Sequence, residues 1–185
     1  MKATGIVRRI DDLGRVVIPK EIRRTMRIRE GDPLEIYTDR EGEVIFKKYS
    51  PIGELSSFAA QYAETLYKTC GLAVIISDRD AVIASAGVSK KEYLERKLSS
   101  EMEEIIENRG MYSYRSDGIK IAPLEDGGSH FVSTAMPIIC EGDVIGCVAS
   151  LVESEGDRGR EGVSGDVEAK LIMTAANFLG KQLES

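Results

Sequence analysis

Apolar residues recur every second position in the first fifty residues and every third or fourth position in much of the remaining chain, so two kinds of element divide the sequence. Ile6, Arg8 and Ile10 alternate with Val7 and Arg9, and Arg15-Val16-Val17-Ile18 comes after the short break Asp11-Asp12-Leu13-Gly14. This predicts two strands joined by a tight turn, with Arg8 and Arg15 near each other on the ladder. Pro19 suits the first position of a helix, because it has no N–H to leave unpaired there. Ile22 and Met26 then share an inward face, while Arg23, Arg24 and Arg27 lie on the other, and Gly31 is the expected stop. A second hairpin is expected from Leu34 to Thr38 and Glu43 to Lys47, around Asp39-Arg40-Glu41-Gly42.

The period changes after Ser50-Pro51-Ile52-Gly53. Ile52, Leu55, Ala59, Tyr62 and Leu66 form a helical stripe over about two heptads, short of the three to four that define a coiled coil. It reads as the first helix of a second domain that also contacts a partner chain. Strands are expected at 72–77 and 81–86, then a helix opened by Ser89-Lys90-Lys91-Glu92 as a capping box. That helix would carry Leu94, Leu98, Met102, Ile105 and Ile106 on one face and end at Gly110. Residues 111–122 and 130–152 read as strands, with Glu141-Gly142 turning between Pro137-Ile138-Ile139-Cys140 and Asp143-Val144-Ile145-Gly146. A last helix, capped near Ser164, has two apolar stripes: Leu171, Ala175 and Phe178 beside Ile172, Ala176, Leu179 and Leu183. A helix apolar over that much of its circumference is covered on more than one side.

Charge sharpens the division. The chain carries a formal net charge of −6, yet seven arginines and one lysine lie between Arg8 and Arg29 against three acids. Residues 1–50 hold 12 basic and 9 acidic groups, whereas residues 51–185 hold 13 and 22. A cationic patch on an otherwise acidic protein points to a polyanionic partner docking at one end, and the acidic half limits indiscriminate sticking. A merely solvated charged face is the alternative, and the density of the run argues against it. Fifty residues of short strands bury too little apolar area to stand alone, so two copies are expected to interleave.

The run Asp12-Leu13-Gly14-Arg15-Val16-Val17-Ile18-Pro19-Lys20-Glu21-Ile22-Arg23, within a hairpin, helix, hairpin order, resembles the AbrB-type swapped-hairpin DNA-binding domain of bacterial transition-state regulators. The resemblance covers about a quarter of the chain. It implies a dimeric barrel laying arginines along double-stranded DNA, with Arg8, Arg15, Arg23 and Arg24 at the contacting positions; Arg9, Lys20 and Arg27 are added from charge alone.

Residues from about 54 to 182, in the order helix, strand, strand, helix, strands, hairpin, helix, resemble a GAF-type sensor domain. That family has an antiparallel sheet with covering helices, and a small ligand held between the sheet and its overlying loops; no ligand-binding residue can be carried over here. The expected fold class is therefore α+β in two domains. An AbrB-type swapped-hairpin β-barrel, an intertwined dimer, fills residues 1–50, a linker 51–55, and a GAF-like domain 56–182. The two resemblances together imply a regulator of bacterial sporulation genes, activating some and repressing others. Its C-terminal domain would serve oligomerisation, as a homotetramer through the C-terminal helices, or sensing of an unidentified small ligand. An antitoxin-like module whose C-terminal half captures a protein is the alternative. Its tail would normally be short and disordered, whereas this half has full helix periods and core strands.

Other chemistries find little support. Cys70, Cys140 and Cys147 are odd in number and lack C-x-x-C spacing, which suits reduced core thiols. One histidine does not make a zinc site, and Ser129-His130 would need an acid and an oxyanion hole to act catalytically. Gly156, Gly159, Gly162 and Gly165 have a phosphate-loop spacing without the Lys-Ser or Lys-Thr that should come next, so a mobile connector is expected, with closure over a ligand as the lesser reading. No enzyme activity and no cofactor are expected. Without an apolar run of about 18 residues or a leader-like start, the reading is cytoplasmic, with no membrane partner.

Overall fold

The computed structural model describes residues 6–157 and 163–184, and the chain divides into two units, Met1–Tyr49 and Ser50–Ser185. In the first, helix α1 (Lys20–Thr25) begins directly after Pro19. It ends in a Schellman arrangement: Ile28 N–H donates to the Arg23 carbonyl at 2.7 Å and Arg27 N–H to that of Arg24 at 3.2 Å. Arg27, not Gly31, takes the left-handed position that stops the helix, at φ 52°. Gly31, at φ 84°, serves the next turn. Strands β1 (Leu34–Thr38) and β2 (Val44–Lys48) pair antiparallel, Leu34 opposite Lys48 and Thr38 opposite Val44.

The first expected hairpin takes a different form within one chain. Its turn closes, with Asp11 N–H donating to the Arg15 carbonyl and Gly14 N–H to that of Asp11, both at 3.1 Å. The arms 6–10 and 15–18 nevertheless form no strand. A two-stranded ribbon with no third layer has nothing to bury its apolar side against. Val7 is 91% exposed, and Ile10, Val17, Ile36, Val44 and Phe46 are exposed with it.

The second unit opens with two helices, α2 (Pro51–Glu54) and α3 (Ser56–Cys70), separated at Leu55. Residues 51–55, expected as a linker, thus carry a helix, and Ile52 has no exposed surface because it packs into the core beside Ala59, Ala63 and Leu66. Five strands complete the layer beneath, β3 (Ala73–Ser77), β4 (Val82–Ala86), β5 (Tyr112–Ser113), β6 (Phe131–Cys140) and β7 (Asp143–Val152). They form one antiparallel sheet in the order β4-β3-β7-β6-β5. Glu141 (φ 49°) and Gly142 (φ 89°) make the two-residue turn between the long central strands. Gly146 on β7 is required by space, since a Cβ there would lie 2.1 Å from the Ser77 carbonyl oxygen.

Between β4 and β5 the structure departs from the sequence pattern. The single helix expected over 89–110 is two, α4 (Lys90–Tyr93) and α5 (Ser100–Glu107). Glu95 sits at φ 62°, Lys97 and Leu98 bridge to Ala81 and Leu124, and the cap is Ser99, whose Oγ accepts from Met102 N–H at 3.1 Å. Ser89 begins α4 without a side-chain cap. The apolar residues 94–106 keep helical spacing, but bridging at Leu98 interrupts the helix. Residues 111–122 likewise contribute only β5 as a strand; beyond it single backbone bonds join Tyr114 to Ser133 and Val132 to Ile121.

Two cores result. Helices α3 and α6 (Gly165–Leu183, its first turn capped by Ser164) cover one sheet face, where Ile172, Ala175, Ala176 and Leu179 meet Val74, Ile76, Ile138 and Val148. Helix α6 lies so close to β6 that a Cβ on Gly180 would stand 2.2 Å from the Ile139 carbonyl oxygen. On the other face Tyr93, Leu98, Met102 and Ile106 pack on Ile75, Val132, Ala135 and Ala149.

Candidate nucleic-acid interface

The cationic residues lie on three consecutive pieces of the first unit. Arg8 and Arg9 are on the arm 6–10, Arg15 comes just after the turn, and Lys20, Arg23 and Arg24 are on α1. All six are exposed, as a phosphate-contacting side chain must be, whereas Arg27 is half-buried at the helix stop. Arg23 and Arg24 occupy the last turn of α1, where the partial negative charge of the carbonyl end favours a cation. The opposite side of that stop is tied down by Lys48 Nζ, which donates to the Arg27 carbonyl at 2.9 Å.

Asp11, which the sequence pattern places in the turn and counts as a counter-charge, orders that turn with its side chain. Its Oδ1 accepts from Leu13 N–H at 3.0 Å and Arg15 N–H at 2.8 Å, and Oδ2 accepts from Arg15 Nε at 2.7 Å. Those bonds, the backbone N–H of Arg15 first and its guanidinium next, hold the Asp11 carboxyl below the ordinary aspartate value. The sequence carries the signal as Asp-x-x-Gly-Arg across a turn.

The second unit's polar groups are structural in form. Tyr93 OH and Ser129 Oγ both lie 3.0 Å from His130 Nδ1, and Glu153 Oε1 is 3.5 Å from Nε2. Burial raises the Tyr93 phenol above its ordinary value, so it stays protonated. The contacts of Tyr93 and Ser129 with the same ring nitrogen tie α4 to the start of β6. The three cysteines are free thiols, and burial pushes Cys147 up to about 12, so it is inert. Among the described residues no group of three or more His, Cys, Asp or Glu side chains could hold a metal, and no helix is long and apolar enough to cross a membrane. Of the glycine-spaced loop, Gly159 and Gly162 lie outside the described residues.

Comparison with known proteins gives these features a context. A family model described as stage V sporulation protein T C-terminal, transcription factor, matches residues 54–184, and one described as antidote-toxin recognition MazE, bacterial antitoxin, matches residues 7–53. Stage V sporulation protein T of Bacillus subtilis (strain 168) is 51% identical over 186 residues, spanning 100% of this chain and 99% of that protein. The transition state regulatory protein AbrB of the same organism is 65% identical over 51 residues, 28% of this chain and 52% of AbrB. A methyl-accepting chemotaxis protein fragment, residues 122 to 287, shares the fold of the second unit with a TM-score of 0.50 at 17% identity, over 70% of this chain and 93% of the fragment.

An AbrB-type N-terminal unit followed by a sheet domain that matches a transcription-factor family model defines a DNA-binding transcription regulator of two domains. Identity over essentially the whole length then places it further: the chain belongs to the stage V sporulation protein T family.

Proposed function

We propose that the chain controls sporulation genes, as activator and as repressor, by docking paired N-terminal units on double-stranded DNA through Arg8, Arg15, Lys20, Arg23 and Arg24. The observation that carries this is the exposed cationic series running from the arm through α1 beside equally exposed apolar residues. Those apolar side chains, Val7, Ile10, Val17, Ile36 and Phe46, are what a second copy would cover in an intertwined dimer. Domain limits of 1–50 for recognition and 56–182 for the GAF-like part suit this reading, with α2 then belonging to the fold of the second.

The C-terminal domain is proposed to join dimers into a tetramer through its helices, or to bind a small ligand that biases that assembly. It works in the cytoplasm, without a cofactor and without catalysis. The match of residues 7–53 to an antitoxin model favours a second reading, in which the C-terminal half captures a toxin protein. The transcription-factor match over residues 54–184 supports the regulator instead.

Fluorescence anisotropy of the full chain on labelled duplex DNA tests the proposal. Arg23→Ala combined with Arg24→Ala should weaken binding at least tenfold, since each lost contact is worth about 1–3 kcal/mol. Equal affinity of variant and parent would overturn it.

A further inference from the structure

The N-terminal unit contains the same turn twice. Asp11-Asp12-Leu13-Gly14-Arg15 and Asp39-Arg40-Glu41-Gly42-Glu43 each place aspartate first and a left-handed glycine fourth, at φ 77° for Gly14 and 86° for Gly42. In the first, Asp11 Oδ1 accepts from the N–H groups of Leu13 and Arg15; in the second, Asp39 Oδ1 accepts from those of Glu41 at 3.0 Å and Glu43 at 2.9 Å. The backbone closure is also shared, Asp11 N–H to the Arg15 carbonyl and Asp39 N–H to that of Glu43. One carboxylate oxygen therefore suffices to build this turn.

The difference is the fifth residue. Glutamate stands there in the second turn, whereas in the first Arg15 brings its Nε to 2.7 Å from Asp11 Oδ2. The Arg15 side chain is 70% exposed, and an ion pair that exposed does little for stability. What the contact does is orient. With Nε engaged sideways, the two Nη groups remain as a fork at the end of the side chain. That end-on fork matches the O6 and N7 acceptors of guanine in the major groove.

Charge alone predicts the opposite of a benefit. A carboxylate this close to an arginine removes part of the positive charge offered to phosphates and repels the DNA backbone itself. An arginine that only meets phosphates is better without it. An arginine that must reach a base edge in one conformation gains, because less rotamer freedom is lost on binding.

We propose that Asp11 is a positioning residue for sequence recognition: by taking Arg15 Nε it directs the free end of that guanidinium to a guanine edge, raising specificity while lowering affinity for DNA in general. The inference rests on the reading that this unit binds DNA through Arg15, and it adds which acid sets how that arginine is used.

The test uses the full chain. A duplex is selected by the parent protein from a random-sequence pool, and affinities for it and for a scrambled duplex of equal composition are measured for the parent, Asp11→Asn, Arg15→Ala and the double variant. Asn keeps an oxygen for the turn. Asp11→Asn should bind the scrambled duplex more tightly yet lower the selected-to-scrambled ratio about tenfold, the scale of one bidentate arginine–base contact. Arg15→Ala should lower the ratio similarly, and Asp11→Asn should lower it no further in that background. Asp39→Asn, the same change in the sister turn, should leave the ratio unaltered and so serves as the control for turn disruption.

An unchanged ratio in Asp11→Asn beside a lowered one in Arg15→Ala overturns the positioning role and leaves DNA contact by Arg15 standing. Unchanged affinities in Arg15→Ala overturn both. A parent that enriches no sequence from the pool, or an equal fall in Asp39→Asn, also overturns the proposal.

Discussion

Phe178 on α6 stacks on Tyr62 of α3, ring centroids 5.5 Å apart and planes 28° from parallel, with the Phe58 ring 5.7 Å away. Phe178 is still 39% exposed, although Ile172, Ala175, Ala176 and Leu179 on the same helix are fully covered by the sheet. The inner stripe of α6 is thus core, and the outer one ends in an aromatic cluster spanning two helices. Such a cluster loses apolar surface to water only if a second chain covers it.

The first prediction concerns that cluster. If it joins dimers, Phe178→Glu should halve the mass measured by light scattering on the full chain while leaving its circular dichroism unchanged. Leu171→Glu, on the same outer stripe but half-buried, tests whether the surface continues along the helix. Equal masses for the parent and both variants would confine the stripe to the interior of one chain.

A second prediction comes from Glu168, which is 3% exposed in the first turns of α6. Ser150 Oγ donates to its Oε1 at 2.5 Å, and the same hydroxyl accepts from Thr134 N–H at 3.1 Å, beside the bulge in β6. Glu168→Ala removes a buried carboxylate acceptor and leaves the Ser150 hydroxyl only the Thr134 carbonyl, at 3.2 Å, to donate to, so it should cost about 1–3 kcal/mol in urea unfolding. Glu168→Gln, which can still accept from Ser150, should cost distinctly less. Equal losses would mean that packing rather than the hydrogen bond fixes α6.

How far the sequence could be read depends on whether the deciding interaction is local. The hairpin at Leu34–Thr38, the turn at Glu141-Gly142 and the start of α6 at Ser164 are set by residues within a few positions, and their patterns predict them. The break between Tyr93 and Ser100 is set by bridges to Ala81 and Leu124, which no window around Leu94–Met102 contains. The arms around Asp11–Gly14 alternate like strands but form none among the described residues, and their apolar side chains stay exposed. The cationic residues of the candidate interface were legible because charge is additive along a sequence. The Asp11–Arg15 contact escapes a count of charges, which treats the acid as a subtraction, although the Asp-x-x-Gly-Arg spacing across the turn carries its signal.

The third prediction uses Cys147, fully buried at the centre of the sheet with its thiol held up to about 12 by burial. Native protein treated with iodoacetamide at pH 8 should be alkylated at Cys70 and Cys140, both partly exposed, long before Cys147. The linkage has a definite sign. The thiol stays neutral in the folded chain but ionises in the unfolded one above about pH 8.5, so its contribution is intact below that value and is lost as pH rises towards the folded value. Unfolding free energy between pH 8.5 and 10 should therefore fall more steeply in the parent than in Cys147→Ala. Parallel curves would show that the thiol is solvated.

The fourth prediction is that DNA binding is dominated by the N-terminal charge and is strongly salt-dependent. Between Arg8 and Arg29 each chain offers a net +5, and an intertwined pair doubles it. Not every cation can reach a phosphate at once: Arg27 is half-buried at the helix stop, and Arg15 is partly neutralised by Asp11. About 6 to 8 neutralised phosphates per dimer should give a slope of roughly −5 to −7 in log affinity against log salt concentration. Lys20→Ala, a lone ammonium at the first position of α1, should weaken selected and scrambled duplexes alike and flatten the slope by about 2 for the pair. A flat salt dependence in the parent would remove the electrostatic basis of the interface, and a loss in Lys20→Ala confined to one sequence would make that lysine a reader of bases.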